Sequence, residues 1–159
     1  AYVPVEKPGH ERVLYYLVYL TRHPKGIDVF KTEAEKMEIT QRVLQQEYKL
    51  RQQIERSGTG DLFGGEAEIP LKDTEYSDNR MMAKAYLLGH LSEEPTLIDL
   101  EKWADFLEES DLYPGDLQMA MKELVKEGRV KNVDEDVSKR YKYVIKPDWS
   151  AKSERWVVI

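Results

Sequence analysis

The chain has 159 residues, 30 of them acidic and 24 basic, for a formal net charge of -6, and 41% are hydrophobic. That is enough for one ordinary domain or two small ones, and the acidic balance argues against strong non-specific binding to nucleic acid, where phosphate contacts dominate affinity. With no cysteine, disulfides, thiolate zinc sites and cysteine nucleophiles are excluded, and the longest apolar run, Val13 to Leu20, is shorter than the roughly 20 residues that span a bilayer, so a cytoplasmic chain without a membrane partner is expected.

No signal peptide is visible, and position 1 is alanine rather than methionine, which reads as a processed chain or a fragment of a longer one. Tyr2, Val3 and Val5 begin an extended segment, and Pro8-Gly9 marks a turn. The run Val13 to Leu20 that follows is β-branched and aromatic without polar alternation. Such a run predicts a strand buried on both faces, inside a sheet. A two-stranded hairpin cannot bury it, so another part of the chain, a second copy or a missing partner domain must cover it.

Thr21 or His23 is placed to cap a helix, with Pro24 in its first turn. Ile27, Phe30, Ala34 and Met37 keep helical spacing, and the Gln-, Arg-, Lys- and Glu-rich stretch from Gln41 to Gln53 predicts a long, mostly solvated continuation. Ser57-Gly58-Thr59-Gly60 ends it. Residues 57–78 hold four of the nine glycines and read as a linker.

Beyond the linker, Met81 to Leu91 predict a first helix, broken at Glu94-Pro95-Thr96. Leu97, Leu100, Trp103, Ala104 and Leu107 predict a second, and Tyr113-Pro114-Gly115 a turn. Leu117, Ala120, Met121, Leu124 and Val125 predict a third, stopped by Gly128. Val130, Asn132 and Val133 start a strand, Asp134-Glu135-Asp136 a polar loop, and Trp156 to Ile159 a last strand. Three helices, a strand, a polar loop and a strand is the winged-helix order. The expected fold is therefore α+β: a β-hairpin and helical segment over residues 1–56, a linker over 57–78 and a winged-helix domain over 79–159. A three-helix bundle with a β tail is the plainer alternative.

In a helix-turn-helix the start of the recognition helix meets base edges. Here that region offers Asp116, Gln118, Met119 and Lys122. Gln118 is suited to adenine, with Lys122 beside it, but Asp116 repels phosphate. From Glu93 to Asp136 there are 14 acidic residues against 5 basic ones, a hostile surface for a duplex. The wing differs: Lys139, Arg140, Lys142 and Lys146 surround Tyr141 and Tyr143. A basic, aromatic wing suits a phosphate backbone or a stacked base; the bland reading is a solvated hairpin. Double-stranded DNA is thus one expected partner. The other is a protein, or a second copy, held through Val13, Tyr15, Leu17 and Tyr19.

The glycine-rich linker contains neither a dinucleotide-binding fingerprint nor a P-loop. His10, His23 and His90 stand at no ligand spacing, and no nucleophile, base and orienting group stand together. No catalytic residue, metal or cofactor is assigned, and a non-catalytic binding module is expected.

Val13 to Met37, with its Tyr-Tyr-Leu strand and the Thr21-Arg22-His23-Pro24-Lys25-Gly26 junction, resembles the closing strand and helix of the three-Cys-motif partner proteins. Leu112-Tyr113, Met119 to Val125, Glu127-Gly128 and the final strand follow in the same order. The resemblance covers most of the chain in arrangement, with the His-Pro-Lys-Gly segment as its distinctive part. It implies a C-terminal portion whose methyltransferase-like, cofactor-binding half is absent. No glycine-rich cofactor loop or Asn-Pro-Pro-Tyr-like motif stands here, so no methyltransferase residue carries over. What the resemblance implies is association with nucleic-acid-modifying systems, not activity.

Overall fold

A computed structural model describes residues 1–7, 9, 12–57, 73–135, 145 and 153–159. It is an α+β fold. Strands β1 (Tyr2–Glu6) and β2 (Val13–Val18) form an antiparallel hairpin, helix α1 (Pro24–Ser57) follows, and then come α2 (Asp73–His90), β3 (Thr96–Ile98), α3 (Leu100–Glu109), α4 (Pro114–Lys126), β4 (Val130–Asn132) and β5 (Glu154–Val158). The second sheet has the order β3-β5-β4, both pairings antiparallel.

The start of α1 follows from its junction. Pro24 needs no amide partner in the first turn. His23 Nδ1 accepts from the Lys25 amide of the first turn at 3.2 Å and so caps the helix, while the Thr21 hydroxyl accepts from the His23 amide at 3.1 Å, just ahead of it. The helix then runs unbroken for 34 residues. Its stripe at positions 27, 28, 31, 34 and 35 faces the C-terminal unit. Ile27 is buried in the main core, and Asp28, Lys31 and Ala34 are each at most 4% exposed. The Trp103 indole N–H donates to Asp28 Oδ1 at 2.9 Å, and Lys31 Nζ meets Asp111 Oδ1 at 3.1 Å. Charges to which the sequence reading gave no role are docking contacts.

The C-terminal core gathers Leu87 of α2, Trp103 and Phe106 of α3, Leu117 and Leu124 of α4, and Trp156 of β5, all fully buried. Ile145, in the predicted wing, is buried with them. Helix α3 starts at Leu100, not at Leu97, because the Asp99 carboxylate caps it by accepting from the Lys102 amide at 2.8 Å. The residues just before it are strand β3, which pairs with β5. Asp99→Ala is expected to cost about 1 kcal/mol, read as a fall in the urea midpoint.

Helix α4 ends as its glycine predicts. Gly128 has φ of 73°, its amide donates to Val125 O at 3.1 Å, and the Arg129 amide donates to Leu124 O at 2.9 Å. Those two reverse bonds close the helix and aim the chain straight into β4. Helix α2 begins at Asp73, inside the stretch read as linker. Among the described residues no helix is long and apolar enough to cross a membrane.

Candidate interaction surfaces

Of the residues assigned to nucleic acid, Lys139, Arg140, Tyr141, Lys142 and Lys146 lie outside the described residues. Gln118 is half-buried, while Lys122, one turn further along α4, is exposed. Met119 beside them is 42% exposed. They share one outer face of α4, but the first turn of that helix does not look outward. The Gly115 amide donates to Glu35 Oε2 of α1 at 3.3 Å, and a side chain built at Gly115 would meet the same carboxylate at 2.1 Å. Pro114, Asp116 and Leu117 are buried. The end that a recognition helix presents to bases is occupied here by an acidic residue of α1.

Acidic groups dominate that junction. Burial, and then a hydrogen bond to the Glu38 carboxylate, hold the Tyr113 phenol well above its usual value. Glu38 is itself paired with Arg42. Asp116 Oδ2 accepts from the Tyr113 amide at 3.2 Å, yet burial outweighs that bond and raises the Asp116 carboxyl above the ordinary carboxylate value. The folded chain therefore holds this proton more tightly than the unfolded chain does. Its ionisation weakens the fold at neutral pH, and the loss disappears as pH falls below the unfolded value of about 3.9. Asp116→Asn keeps the acceptor and is expected to raise the urea midpoint at pH 7, with the difference closing as pH approaches 4.

Between α2 and α4 the charges cancel. Glu123 accepts from Lys84 Nζ at 2.7 Å and lies 3.5 Å from Arg80, and Lys84 also reaches Glu127 at 2.6 Å. The hydrogen bond from Lys84 lowers the Glu123 carboxyl, and the carboxylates of Glu123 and Glu127 raise the Lys84 amine. These ions hold two helices together.

The hairpin is the other surface. Its strand β2 reads as buried from sequence, but the structure leaves it open. Leu14, Tyr15, Tyr16 and Val18 are each at least 56% exposed, and Leu20 reaches 87%. The reason is topological: among the described residues β2 has β1 on one edge and no other strand in its sheet. Directly paired residues share a face. Leu17 lies opposite Val3 and Tyr15 opposite Val5, and Tyr19 exchanges backbone hydrogen bonds with Ala1. Tyr15, Leu17 and Tyr19 therefore share one face, where the Tyr19 ring stacks on Phe30 of α1 with centroids 5.1 Å apart. Val13 is separated from them by a register shift between Val5 and Glu6. The opposite face carries Tyr16 and Val18, with Tyr2 edge-on to Tyr16 at 5.7 Å.

Sequence reading missed Asp28, Lys31 and Glu35. The signal was present, since they fall on the same helical stripe as Ile27 and Ala34, but carboxylates and ammonium groups at such spacing usually mark a solvated face. Among the described residues no group of three or more His, Asp and Glu is placed to hold a metal ion. Compared with family models, curated proteins and solved structures, the chain matches none of them.

Proposed function

We propose that the chain is a non-catalytic interaction module, with a winged-helix unit over residues 79–159, that docks onto protein through its N-terminal hairpin. The observation that carries this reading is the exposure of β2, an uncharged strand with large apolar side chains on both faces. A contiguous exposed apolar patch of this kind marks an interaction surface. The order α2, β3, α3, α4, β4, β5, with β5 between the other two strands, supports the winged-helix assignment. The first turn of α4 is filled by Glu35, which favours a protein ligand over major-groove reading. The resemblance to the three-Cys-motif partner proteins agrees with a place in a larger assembly.

Site-specific photo-crosslinking in cells tests the docking surface. Leu17→benzoylphenylalanine is expected to give discrete protein adducts, lost when Leu14→Lys is added, while Leu97→benzoylphenylalanine on β3 gives none. No adduct from position 17 overturns the reading.

Contact with double-stranded DNA through the wing is a second reading, favoured by the basic cluster Lys139, Arg140, Lys142 and Lys146 with Tyr141 in an otherwise acidic half, and by outward Lys122 next to Gln118. A mobility shift at two salt concentrations decides it. Retardation that weakens with salt, and with Lys139, Arg140 and Lys142 changed to Glu, supports it; no retardation at low salt ends it.

A further inference from the structure

The two edges of the hairpin are treated differently. The outward edge of β1 is closed by α1. Gln41 Oε1 accepts from the Glu6 amide at 2.7 Å, and its Nε2 donates to Pro4 O at 3.2 Å. One turn on, Gln45 Oε1 accepts from the Gly9 amide at 2.7 Å and its Nε2 donates to Lys7 O at 3.0 Å. Two glutamines thus stand where a neighbouring strand would pair. Among the described residues, the outward edge of β2 has no strand beside it.

Which backbone groups face that open edge follows from the pairing. Tyr19 exchanges its bonds with Ala1, and antiparallel pairs alternate between bonded and non-bonded. Leu17 and Tyr15 therefore direct their amides and carbonyls to β1, and Tyr16 and Val18 direct theirs outward. Pro4, which has no N–H, sits opposite Tyr16 at a non-bonded position. Exposed edges are ordinarily blunted by charge, by proline or by a bulge along their length. β2 contains no charged residue and no proline, and its register shift lies at its first residues.

Building on the protein-docking reading, we propose that β2 pairs edge to edge with β2 of a second copy, antiparallel about a two-fold axis, to make a four-stranded sheet. Three features select a second copy. First, the strand is apolar throughout, so antiparallel self-pairing sets apolar side chains beside apolar side chains in any register. Second, the chain carries a net charge of -6, and Val13 to Leu20 is a stretch where two copies meet without opposing like charges. Third, the assembly closes at two. Each outer edge of the new sheet is a β1 whose backbone from Pro4 to Gly9 is already held by Gln41 and Gln45, which disfavours a third copy. Tyr2 and Leu14 to Leu20, between 39% and 87% exposed, would stand beside their counterparts along the seam, where cross-strand neighbours interact.

Sedimentation equilibrium of the full chain over a range of concentrations tests this. A monomer–dimer equilibrium is expected. Tyr16→Lys places two ammonium groups near the axis, where like charges oppose pairing, and Val18→Pro removes an outward amide. Each is expected to weaken the dimer about tenfold or more, while circular dichroism keeps the helical signal of the parent. Tyr16 and Val18 are already exposed, so a lysine at position 16 leaves the monomer fold intact. A chain that stays monomeric to its solubility limit overturns the proposal, as does a dimer that both variants leave unchanged. If the chain is monomeric and position 17 still crosslinks to a different polypeptide, the docking reading stands and self-pairing falls.

Discussion

Trp103→Ala is expected to remove about 3–5 kcal/mol of stability, a large share of the roughly 5–15 kcal/mol that a domain of this size holds. Trp103 is 1% exposed at the centre of the C-terminal core, and its indole N–H is also the donor to Asp28 Oδ1 across 75 positions of sequence. The variant therefore leaves a cavity and takes a hydrogen bond from a buried carboxylate at the same time. Trp103→Phe separates the two losses. Phenylalanine fills much of the volume but offers no N–H, and its expected cost is about 1–3 kcal/mol, the penalty of removing one partner from a buried polar group. Urea unfolding of both variants gives the comparison. Asp28→Ala added to Trp103→Phe should cost less than Asp28→Ala alone, because residues that share a bond do not add independently. Wild-type stability in Trp103→Phe would show that the indole–carboxylate bond does not anchor α1.

The second large effect is local. Changing Gln41 and Gln45 together to Ala removes four hydrogen bonds between α1 and the backbone of residues 4 to 9. At about 0.5–1.5 kcal/mol net for each, the hairpin loses about 2–6 kcal/mol of local stability. Amide hydrogen exchange should then quicken at Glu6, at Gly9 and across the β1–β2 ladder, while α3 and α4 keep their protection, because regions of a protein open separately. Equal loss of protection across the chain would mean that hairpin and core open as one unit.

Those two cases mark where sequence is informative and where it is not. The helix–glycine–strand passage from Leu117 to Asn132 was legible because every signal in it is local: the apolar stripe, Gly128 and the valine after it. The hairpin and the start of α1 at Pro24 were legible for the same reason. Strand β3 was not. Three residues, Thr96 to Ile98, are a strand only because β5 pairs with them, and nothing near them in the chain announces that partner. Leu97 then looks like the first apolar position of a helix, although Asp99 is a good cap three residues before Lys102. The docking of α1 was hidden differently, since Asp28 and Lys31 are buried by partners at Trp103 and Asp111. In β2 the residue pattern states correctly that the strand suits cover on both faces, and the fold leaves that requirement open. Among the candidate binding residues, composition could place Lys122 outward, but it could not reveal that Glu35 fills the start of α4.

The placement of β5 bears on how the chain folds as it is made. Among the described residues it follows β3 and β4 in sequence and is the middle strand of their sheet, paired with β3 on one side and β4 on the other. Until Glu154 to Val158 have been synthesised, β3 and β4 lack the strand with which each of them pairs, and Trp156, fully buried in the finished core, is missing from it. Both strand pairings close loops in the chain, the β3–β5 one being the longer. The sheet is therefore expected to form only once β5 has joined β3 and β4, which pair with it and not with each other.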